Sequence, residues 1–355
     1  MKVARLTFGE AAPAELAGAV LTRDIEVAGE RWAKGRCLSP ADLVRLASAT
    51  PASVPGARPI TVLILEPGDV HEDAAARRLA AAVAGPGLRI GEPAQSRIDL
   101  RATAAGLVRV RGALIERLNS IDPVEVFTIL DGRIVEQGAL VASVKIAPHL
   151  VSEAILAAAE AVAAAAGRSG VVSVAAFRPR RVAAIVKESI RGIARERFES
   201  SVRAKVEGLG SRLVGIDYVE DAAGPVEGAL RACAHGRGAK RADLVLTAGS
   251  SSTDPEDPFF TAIAALGGRI VRHGVPAHPG SMLWLARIGA VPVVGMPSCG
   301  AYSRATAVDL LLPRLLAGEP ASIRTVARLG HGGILTRDQR FRFPAYARDL
   351  DAPEG

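Results

Sequence analysis

Small and hydroxylated residues follow a short apolar segment in the second half of the chain. Residues 242–247 have the pattern of a buried strand that ends in such a loop. Residues without bulk let backbone N–H groups come close to an anion, and hydroxyl groups add further donors. We call residues 247–254 the hydroxyl loop and predict that it binds a phosphate or another oxyanion. Its candidate binding residues are Thr247, Gly249, Ser250, Ser251, Ser252 and Thr253.

Two aspartates stand at the end of this loop. Asp254 and Asp257 precede residues 259–266, which have a helical pattern. Both are candidate catalytic residues. Acidic residues are also favoured at any helix start, where they cap free N–H groups and meet the positive end of the helix dipole. Capping alone is therefore the alternative interpretation of both residues.

The elements that must position the loop alternate between strand and helix from about residue 177 onward. This spacing is typical of a doubly wound, mostly parallel sheet, in which ligands bind at the carboxyl ends of the strands. The first half is less regular and predicts an α+β lobe. We therefore expect an α/β fold with an amino-terminal lobe over residues 1–176, a binding domain over 177–320 and a tail over 321–355.

An ordered set of motifs over residues 242–316 resembles the molybdopterin-binding domain of molybdate insertases, molybdopterin adenylyltransferases and competence/damage-inducible proteins. The hydroxyl loop is similar to the T-G-G-x-S-x-G-D loop of insertases. Leu266-Gly267-Gly268 and then His273-Gly274-Val275 stand where insertases have L-G-G and H-G-V. Residues 279–282 and 295–300 resemble the P-G-K-P turn and the G-L-P-G-N-P segment.

The resemblance implies that these segments hold molybdopterin or its nucleotide form. It places Asp254 near a magnesium ion or molybdate, as the metal-binding residue. Two positions depart from the insertase pattern: Ser281 stands where the family has lysine, and Cys299 where it has asparagine. Ser281 keeps a hydroxyl group but loses a cation, and a neutral hydrogen bond to an anion is the weaker one. The further binding residues that the resemblance implies are Pro279, Gly280, Ser281, Pro297, Ser298 and Cys299.

Lysine, histidine and arginine residues near these motifs have two interpretations each. Lys187, at the end of an earlier predicted strand, could replace the missing cation or be an ordinary solvated lysine. His273 and His278 could contact a phosphate or a pterin, or satisfy local carbonyl groups. Arg287 and Arg304 are candidate anion ligands or surface residues.

The function implied by the resemblance is molybdopterin binding in molybdenum cofactor biosynthesis, with molybdate insertion, a transferase reaction, as the candidate activity. The alternative is a non-catalytic carrier that presents the cofactor to a nucleotidyltransferase or a molybdoenzyme. A more distant alternative is a nucleotide pyrophosphatase or amidohydrolase of the competence-protein type. Because relatives of this domain self-associate, we also expect a homo-oligomer.

Composition limits the remaining classes. The 355 residues carry a formal net charge of +7 and a sequence pI near 9.8, which suit a phosphorylated small molecule. The arginines form no dense run with interleaved aromatic residues, so we expect no nucleic-acid binding. No long apolar segment predicts a membrane span. The three cysteines, Cys37, Cys233 and Cys299, lack metal-site spacing and favour a cytoplasmic protein.

One polar segment of the first half could also do chemistry. Asp69, His71, Glu72 and Asp73 follow a Pro-Gly turn at a predicted helix start. Carboxylates and imidazole in this arrangement could coordinate a cation or hold a substrate. An acidic helix cap with an idle histidine is the alternative.

Overall fold

The computed structural model describes residues 1–49, 59–94, 96–187, 192–297 and 305–348. The chain divides into two compact units, which are built from interleaved segments. The first unit consists of Met1–Thr103, Arg109–Asp131 and Gln137–Val174, and the second of Ala104–Val108, Gly132–Glu136 and the chain from Ala175 onward.

The described residues of the first half form short strands and α-helices. The elements are β1 Lys2–Leu6, β2 Val20–Leu21, β3 Ile25–Val27, β4 Glu30–Trp32, α1 Pro40–Ser48, β5 Ile60–Ile64, β6 Asp69–His71, α2 Glu72–Val83, β7 Leu88–Ile90, β8 Arg97–Ala102, β9 Gly106–Val110, α3 Gly112–Asn119, β10 Val124–Thr128, β11 Ile134–Val135, β12 Leu140–Ile146, β13 Leu150–Ser152, α4 Glu153–Ala164 and β14 Val172–Ala176. The sheets β1-β5-β2, β10-β12-β8-β7, β3-β4 and β13-β6 are antiparallel, and β9 lies between β11 and β14 in a further sheet. Short 3-10 helices cover Ala14–Leu16 and Gly167–Ser169.

Strand and helix alternate through most of the second half. The elements are β15 Arg181–Val186, α5 Ile193–Glu207, β16 Arg212–Tyr218, α6 Ala223–Ala234, β17 Leu244–Ala248, α7 Pro258–Ala265, β18 Arg269–His273, β19 Trp284–Ile288, β20 Val291–Gly295, α8 Ala307–Leu316, α9 Ile323–Ala327 and α10 Ala345–Arg348. Further 3-10 helices cover Arg328–Gly330 and Arg337–Arg342.

Six of these strands form one sheet in the order β16-β15-β17-β20-β19-β18. The pairs β15-β16, β15-β17 and β17-β20 are parallel, whereas β20-β19 and β19-β18 are antiparallel. The expectation of an α/β fold with a mostly parallel sheet and a less regular α+β first half is confirmed. The antiparallel pair arises because β19 and β20 are joined by a two-residue turn at Gly289-Ala290, and a turn this short can only reverse the chain.

Apolar side chains cover both faces of this sheet. Strand residues such as Val182, Ala184 and Val186 alternate with residues on the other face, as expected for extended backbone. One face packs against α5 and α8, and the other against α6 and α7. Val326, Leu335 and Phe343, which follow the binding domain in sequence, are buried in the α5/α8 core. No helix among the described residues is long and apolar enough to cross a bilayer.

A buried ion pair joins the two helices on the first of these faces. Lys205 of α5 donates to Asp309 of α8 over 2.6 Å, and both side chains are almost fully buried. The second carboxylate oxygen of Asp309 accepts a hydrogen bond from the backbone N–H of Thr306, at the N-cap of α8. Asp309 therefore fixes both the start of α8 and the place where α8 meets α5.

Candidate functional site

The sheet changes direction of winding at β15. From β15 the chain passes to β16 on one side, and the following strand, β17, pairs with the opposite side of β15. Loops that follow two such strands diverge, which leaves a crevice at their carboxyl ends where ligands of open α/β sheets bind. Lys187 follows β15 directly, and Gly249 of the hydroxyl loop follows β17.

The other predicted binding segments lie at the same edge of the sheet. Pro297 follows β20 by two residues, and Pro279, Gly280 and Ser281 precede β19. Because Trp284 at the start of β19 pairs with Gly295 at the end of β20, both segments reach the edge that carries the hydroxyl loop. Ser298 and Cys299 lie outside the described residues, as does Arg304.

The hydroxyl loop begins inside the core and ends in solvent. Thr247 is fully buried, Gly249 and Ser250 are partly buried, and Thr253 is exposed. Gly249 has φ of +86°, a conformation that L residues rarely adopt, so glycine suits the point where the chain turns away from the sheet. Ser251 and Ser252 continue the turn with accessible side chains.

Trp284 holds the first serine of this loop. Its indole Nε1–H donates to the Ser250 hydroxyl oxygen over 2.9 Å. The indole ring is fully buried and packs against Phe259 and Phe260, with ring centroids 6.1 and 5.2 Å away. A Cβ atom placed on Gly295 would lie 2.0 Å from the indole, so only glycine leaves room for Trp284 here.

Asp257 is the N-cap residue of α7 and is also buried. Its Oδ1 accepts a hydrogen bond from the backbone N–H of Phe259 over 2.9 Å, and its Oδ2 accepts one from the N–H of Ser251 over 2.6 Å. Oδ2 also accepts a hydrogen bond from Lys187 Nζ over 2.8 Å. The structure therefore shows the capping contact, and Asp257 ties the hydroxyl loop to α7 and to the end of β15.

Lys187 lies between two carboxylates. Its Nζ is 2.8 Å from Asp257 and 2.8 Å from Asp221, which follows β16. Its side chain is only 4% exposed, so it is not a solvated strand-end lysine. Burial alone would lower the pKa of Lys187, but the hydrogen bonds to Asp221 and Asp257 outweigh burial and raise that pKa. Lys187 therefore stays charged at the crevice.

Asp254 is exposed at the end of the hydroxyl loop. Its Oδ1 accepts a hydrogen bond from the backbone N–H of Glu256 over 2.9 Å. Magnesium usually keeps several water ligands and binds proteins through one or two carboxylates together with substrate phosphates. The exposed Asp254 carboxylate could supply one such ligand. Within the described ranges, no group of three or more histidine, cysteine, aspartate or glutamate side chains is placed to hold a metal ion by itself.

The turn at residues 279–281 is fixed mainly through its backbone. The peptide bond between His278 and Pro279 is cis, and Gly280 has φ of +103°. A Cβ atom on Gly280 would lie 2.8 Å from the backbone nitrogen of Ala307 at the start of α8. The carbonyl of Pro279 accepts a hydrogen bond from that same nitrogen over 3.0 Å. The Ser281 carbonyl accepts a hydrogen bond from the Val275 N–H. The Ser281 residue is partly exposed.

Two further candidate residues lie at opposite edges of the sheet: Arg287 is remote from the crevice, whereas His273 pairs with Trp284 at the edge that carries the hydroxyl loop. Arg287 lies near the end of β19 and pairs with Pro292 at the start of β20, which is the opposite edge of the sheet. There it lines a cavity of about 210 Å³ together with Arg180 and Asp243. His273 makes an edge contact with the Phe260 ring, with centroids 5.0 Å apart.

The polar segment at residues 69–73 forms structural contacts in the first unit. The Nδ1 of His71 accepts a hydrogen bond from the N–H of Asp73, so His71 is the N-cap of α2 and is not idle. Glu72 is buried and lies 2.8 Å from His149 Nδ1. Asp69 accepts a hydrogen bond from the Glu66 N–H. The side chains of Asp69, His71 and Glu72 thus each contact a different group.

Sequence reasoning missed Asp221 and the polar role of Trp284. Asp221 stands in an ordinary turn sequence after β16, and nothing in that sequence distinguishes it from other surface acids. The sequence favours a packing role for Trp284, and the structure shows that Trp284 packs and also donates to Ser250. The signal available in the sequence was a tryptophan at the start of one predicted strand and a glycine at the end of the next. The indole needs the space that a glycine beside it leaves.

The sheet and the residues at its switch point indicate a class of protein. A doubly wound sheet carries, at its switch point, a loop of hydroxyl groups, an exposed carboxylate and a buried lysine. This arrangement is typical of α/β domains that bind ligands at the carboxyl edge of the sheet.

Comparison with known families assigns the domain. Residues 181–317 match the family described as "Probable molybdopterin binding domain". The resemblance to the molybdopterin-binding domain family that the motifs indicated is confirmed for this part of the chain. No curated protein matches the chain.

Solved structures with similarity to the chain include molybdenum cofactor biosynthesis proteins. One is the molybdopterin biosynthesis MoeA protein from Pyrococcus horikosii, at 16% identity and a TM-score of 0.28, covering 74% of this chain and 81% of that one. Another is the molybdopterin biosynthesis enzyme MoaB from Thermus thermophilus, at 16% identity and a TM-score of 0.29, covering 40% and 99%.

Proposed function

We propose that the chain binds molybdopterin, or its nucleotide form, with the phosphate on residues 249–253, and inserts molybdate into it during molybdenum cofactor biosynthesis. The observation that carries this proposal is the contact between Trp284 and Ser250. Because the Ser250 oxygen accepts the indole N–H, the hydroxyl hydrogen remains for another acceptor. A buried residue thus orients a donor at the switch point, where an anionic group of a ligand is expected.

Molybdate insertion by this domain would be catalysis by positioning. Ser250, Ser251 and Ser252 would hold the phosphate, and Asp254 would face the metal substrate. A magnesium ion at Asp254 would neutralise negative charge on the phosphate and the oxyanion. Holding two reactants in the correct geometry can itself lower a barrier by several kcal/mol, about 7 in favourable cases.

We assign Asp257 a positioning role. Both of its oxygens already accept hydrogen bonds, from Ser251, Phe259 and Lys187. A carboxylate used in this way keeps the hydroxyl loop in place and leaves Asp254 as the accessible acid. Substitution of Asp257 is therefore expected to loosen the loop as well as to reduce activity.

A second candidate function is a non-catalytic carrier that presents the cofactor to a nucleotidyltransferase or a molybdoenzyme. Two features favour it. Ser281 stands where the insertase motif has lysine, and the charge of Lys187 is already balanced by Asp221 and Asp257. Fewer uncompensated cations would weaken the hold on molybdate while leaving the phosphate loop intact.

One experiment separates the two functions. Wild type and Asp254→Asn would be tested for binding of anaerobically prepared molybdopterin and adenylylated molybdopterin, and then, with molybdate and magnesium, for reconstitution of a molybdenum-free apo-enzyme. Glu256→Gln, an exposed acid of the same turn, is the matched control. Binding with activation that falls at least tenfold only in Asp254→Asn supports insertion. Binding without activation supports the carrier, and no binding by the wild type rejects both.

A homo-oligomer and a cytoplasmic location are also part of this proposal. They rest on the family resemblance and on the sparse cysteines. Light scattering of the purified chain at several concentrations tests the first, since a stable oligomer keeps its mass on dilution.

A further inference from the structure

Three charged residues from neighbouring loops meet at the crevice. Lys187 follows β15, Asp221 follows β16, and Asp257 caps the helix after β17. The lysine Nζ lies 2.8 Å from a carboxylate oxygen on each side. Two negative charges thus share one buried positive charge, and this is an unfavourable balance for a site that receives an anion.

The two carboxylates are held very differently. Asp257 is completely buried and accepts two backbone hydrogen bonds in addition to that from Lys187. The side chain of Asp221 is 63% exposed, and it forms an ion pair with Lys187. Moving Asp221 into water therefore disturbs one ion pair at the protein surface, whereas moving Asp257 would unpair the hydroxyl loop and α7. Only Asp221 can leave at low cost.

We propose that Asp221 occupies the place of an anionic ligand group: it pairs with Lys187 in the free protein and is displaced by a phosphate or diphosphate when a ligand binds. The inference rests on the proposed function in placing the ligand at this crevice. It adds that Lys187 is a binding residue whose cation becomes available only after Asp221 moves away. The ligand class is a mono- or diphosphate ester.

Exchange of partners is favourable on simple electrostatic grounds. A phosphate group carries more charge than a carboxylate and offers three acceptor oxygens, so its charge-assisted hydrogen bonds to an ammonium group are strong. The like charge of Asp221 would oppose the ligand if Asp221 stayed in place. Its exposed side chain can rotate away, and its hydration in water offsets the lost ion pair.

Removal of the Asp221 charge should strengthen anion binding. Titration calorimetry with inorganic pyrophosphate as the probe would compare wild type and Asp221→Asn at fixed ionic strength. We expect about fivefold tighter binding in Asp221→Asn, the size of one exposed ion pair. Asp217→Asn is the matched control, since Asp217 lies on β16, pairs with Lys240 over 3.0 Å and carries the same charge. It should change affinity by less than about twofold.

The role of Lys187 is tested by a second pair of variants. In a Lys187→Met background, the gain from Asp221→Asn should disappear, because the cation that Asp221 blocks is gone. If Lys187→Met does not fold, Lys187→Arg retains the charge and should retain the gain. Weaker or unchanged pyrophosphate binding by Asp221→Asn overturns the inference, as does an equal gain in Asp217→Asn.

The same titrations separate this inference from the proposed function. If pyrophosphate shows the expected pattern but molybdopterin does not bind, the proposed function fails and the role of Asp221 stands. If molybdopterin binds but Asp221→Asn binds neither ligand more tightly than the wild type does, the proposed function stands and the role of Asp221 is overturned. Absence of pyrophosphate binding in both wild type and Asp221→Asn overturns the role of Asp221.

Discussion

The indole N–H of Trp284 and the hydroxyl oxygen of Ser250 are hydrogen-bonded over 2.9 Å, across the edge of the sheet where the ligand loops meet. One residue belongs to the hydrophobic core and the other to the hydroxyl loop. The packing of Trp284 between Phe259, Phe260 and Gly295 therefore determines where Ser250 points. A change in the core should be measurable as a change in ligand affinity.

Trp284→Phe keeps a buried aromatic ring and removes the donor. We expect phosphate affinity to fall by about three- to tenfold, because one net hydrogen bond is worth about 1 kcal/mol and Ser250 loses its orientation. In a Ser250→Ala background, Trp284→Phe should have no further effect on affinity. Trp32→Phe, at a fully buried tryptophan of the other unit, is the control. Pyrophosphate titration would measure all of these proteins, and full additivity of the two changes would contradict the prediction.

Gly295→Ala should destabilise the second unit strongly. The new Cβ would lie 2.0 Å from the indole of Trp284, and the ring is fully buried and cannot move freely. Overpacking of this kind costs about 1 to 3 kcal/mol of unfolding free energy. Gly215→Ala, also in a strand of this sheet but with open space around the new methyl group, should change stability little. Urea unfolding would compare the variants, and equal midpoints would refute the steric argument.

Asp309→Ala should cost about 3 to 5 kcal/mol of unfolding free energy, because it leaves the buried Lys205 charge without a partner. It also removes the acceptor of the Thr306 N–H at the start of α8. Glu207→Ala breaks the exposed pair between Arg203 and Glu207, also on α5, and should cost less than about 0.5 kcal/mol. Chemical denaturation of both variants checks the contrast. Similar losses would show that burial does not govern these pairs.

Cys233 should make stability depend on pH under alkaline conditions. Burial, followed by the nearby Asp217 charge, raises the pKa of the Cys233 thiol from 9.0 to about 11. The folded state therefore keeps the thiol proton that the unfolded chain releases. Its stabilising contribution is fully present below pH 9 and is lost as the pH rises through about 11. Unfolding of Cys233→Ala should show a smaller decline over this range than wild type. Val226→Ala, on the same helix and without a titrating group, should run parallel to wild type.

Much of the second unit could be predicted from local sequence. The apolar runs at β15 and β17 and the small residues after β17 indicated parallel strands that deliver loops to one edge. The family resemblance associated the turn at residues 279–281 with the hydroxyl loop, and the structure puts both at that edge. The roles of their side chains in binding remain predictions, with Asp254 the first to test.

The contacts inside the crevice could not be predicted in the same way. Lys187, Asp221 and Asp257 are 34 and 36 residues apart in sequence, and only the pairing of β16, β15 and β17 brings them together. Arg287 illustrates the opposite case. It lies close to the motifs in sequence, but an antiparallel strand carries it to the far edge of the sheet. Closeness in sequence therefore does not imply closeness in space, because the two ends of one strand lie at opposite edges of the sheet.

The interleaving of the two units limits how this protein can be divided. The chain passes between them after Thr103, Val108, Asp131, Glu136 and Val174. Strand residues Ile134 and Val135 belong to the second unit, and Ile134 packs against its core. A gene fragment that begins at residue 177 therefore does not encode the whole unit. Recombination or domain fusion at a single point would leave this core without the packing of Ile134.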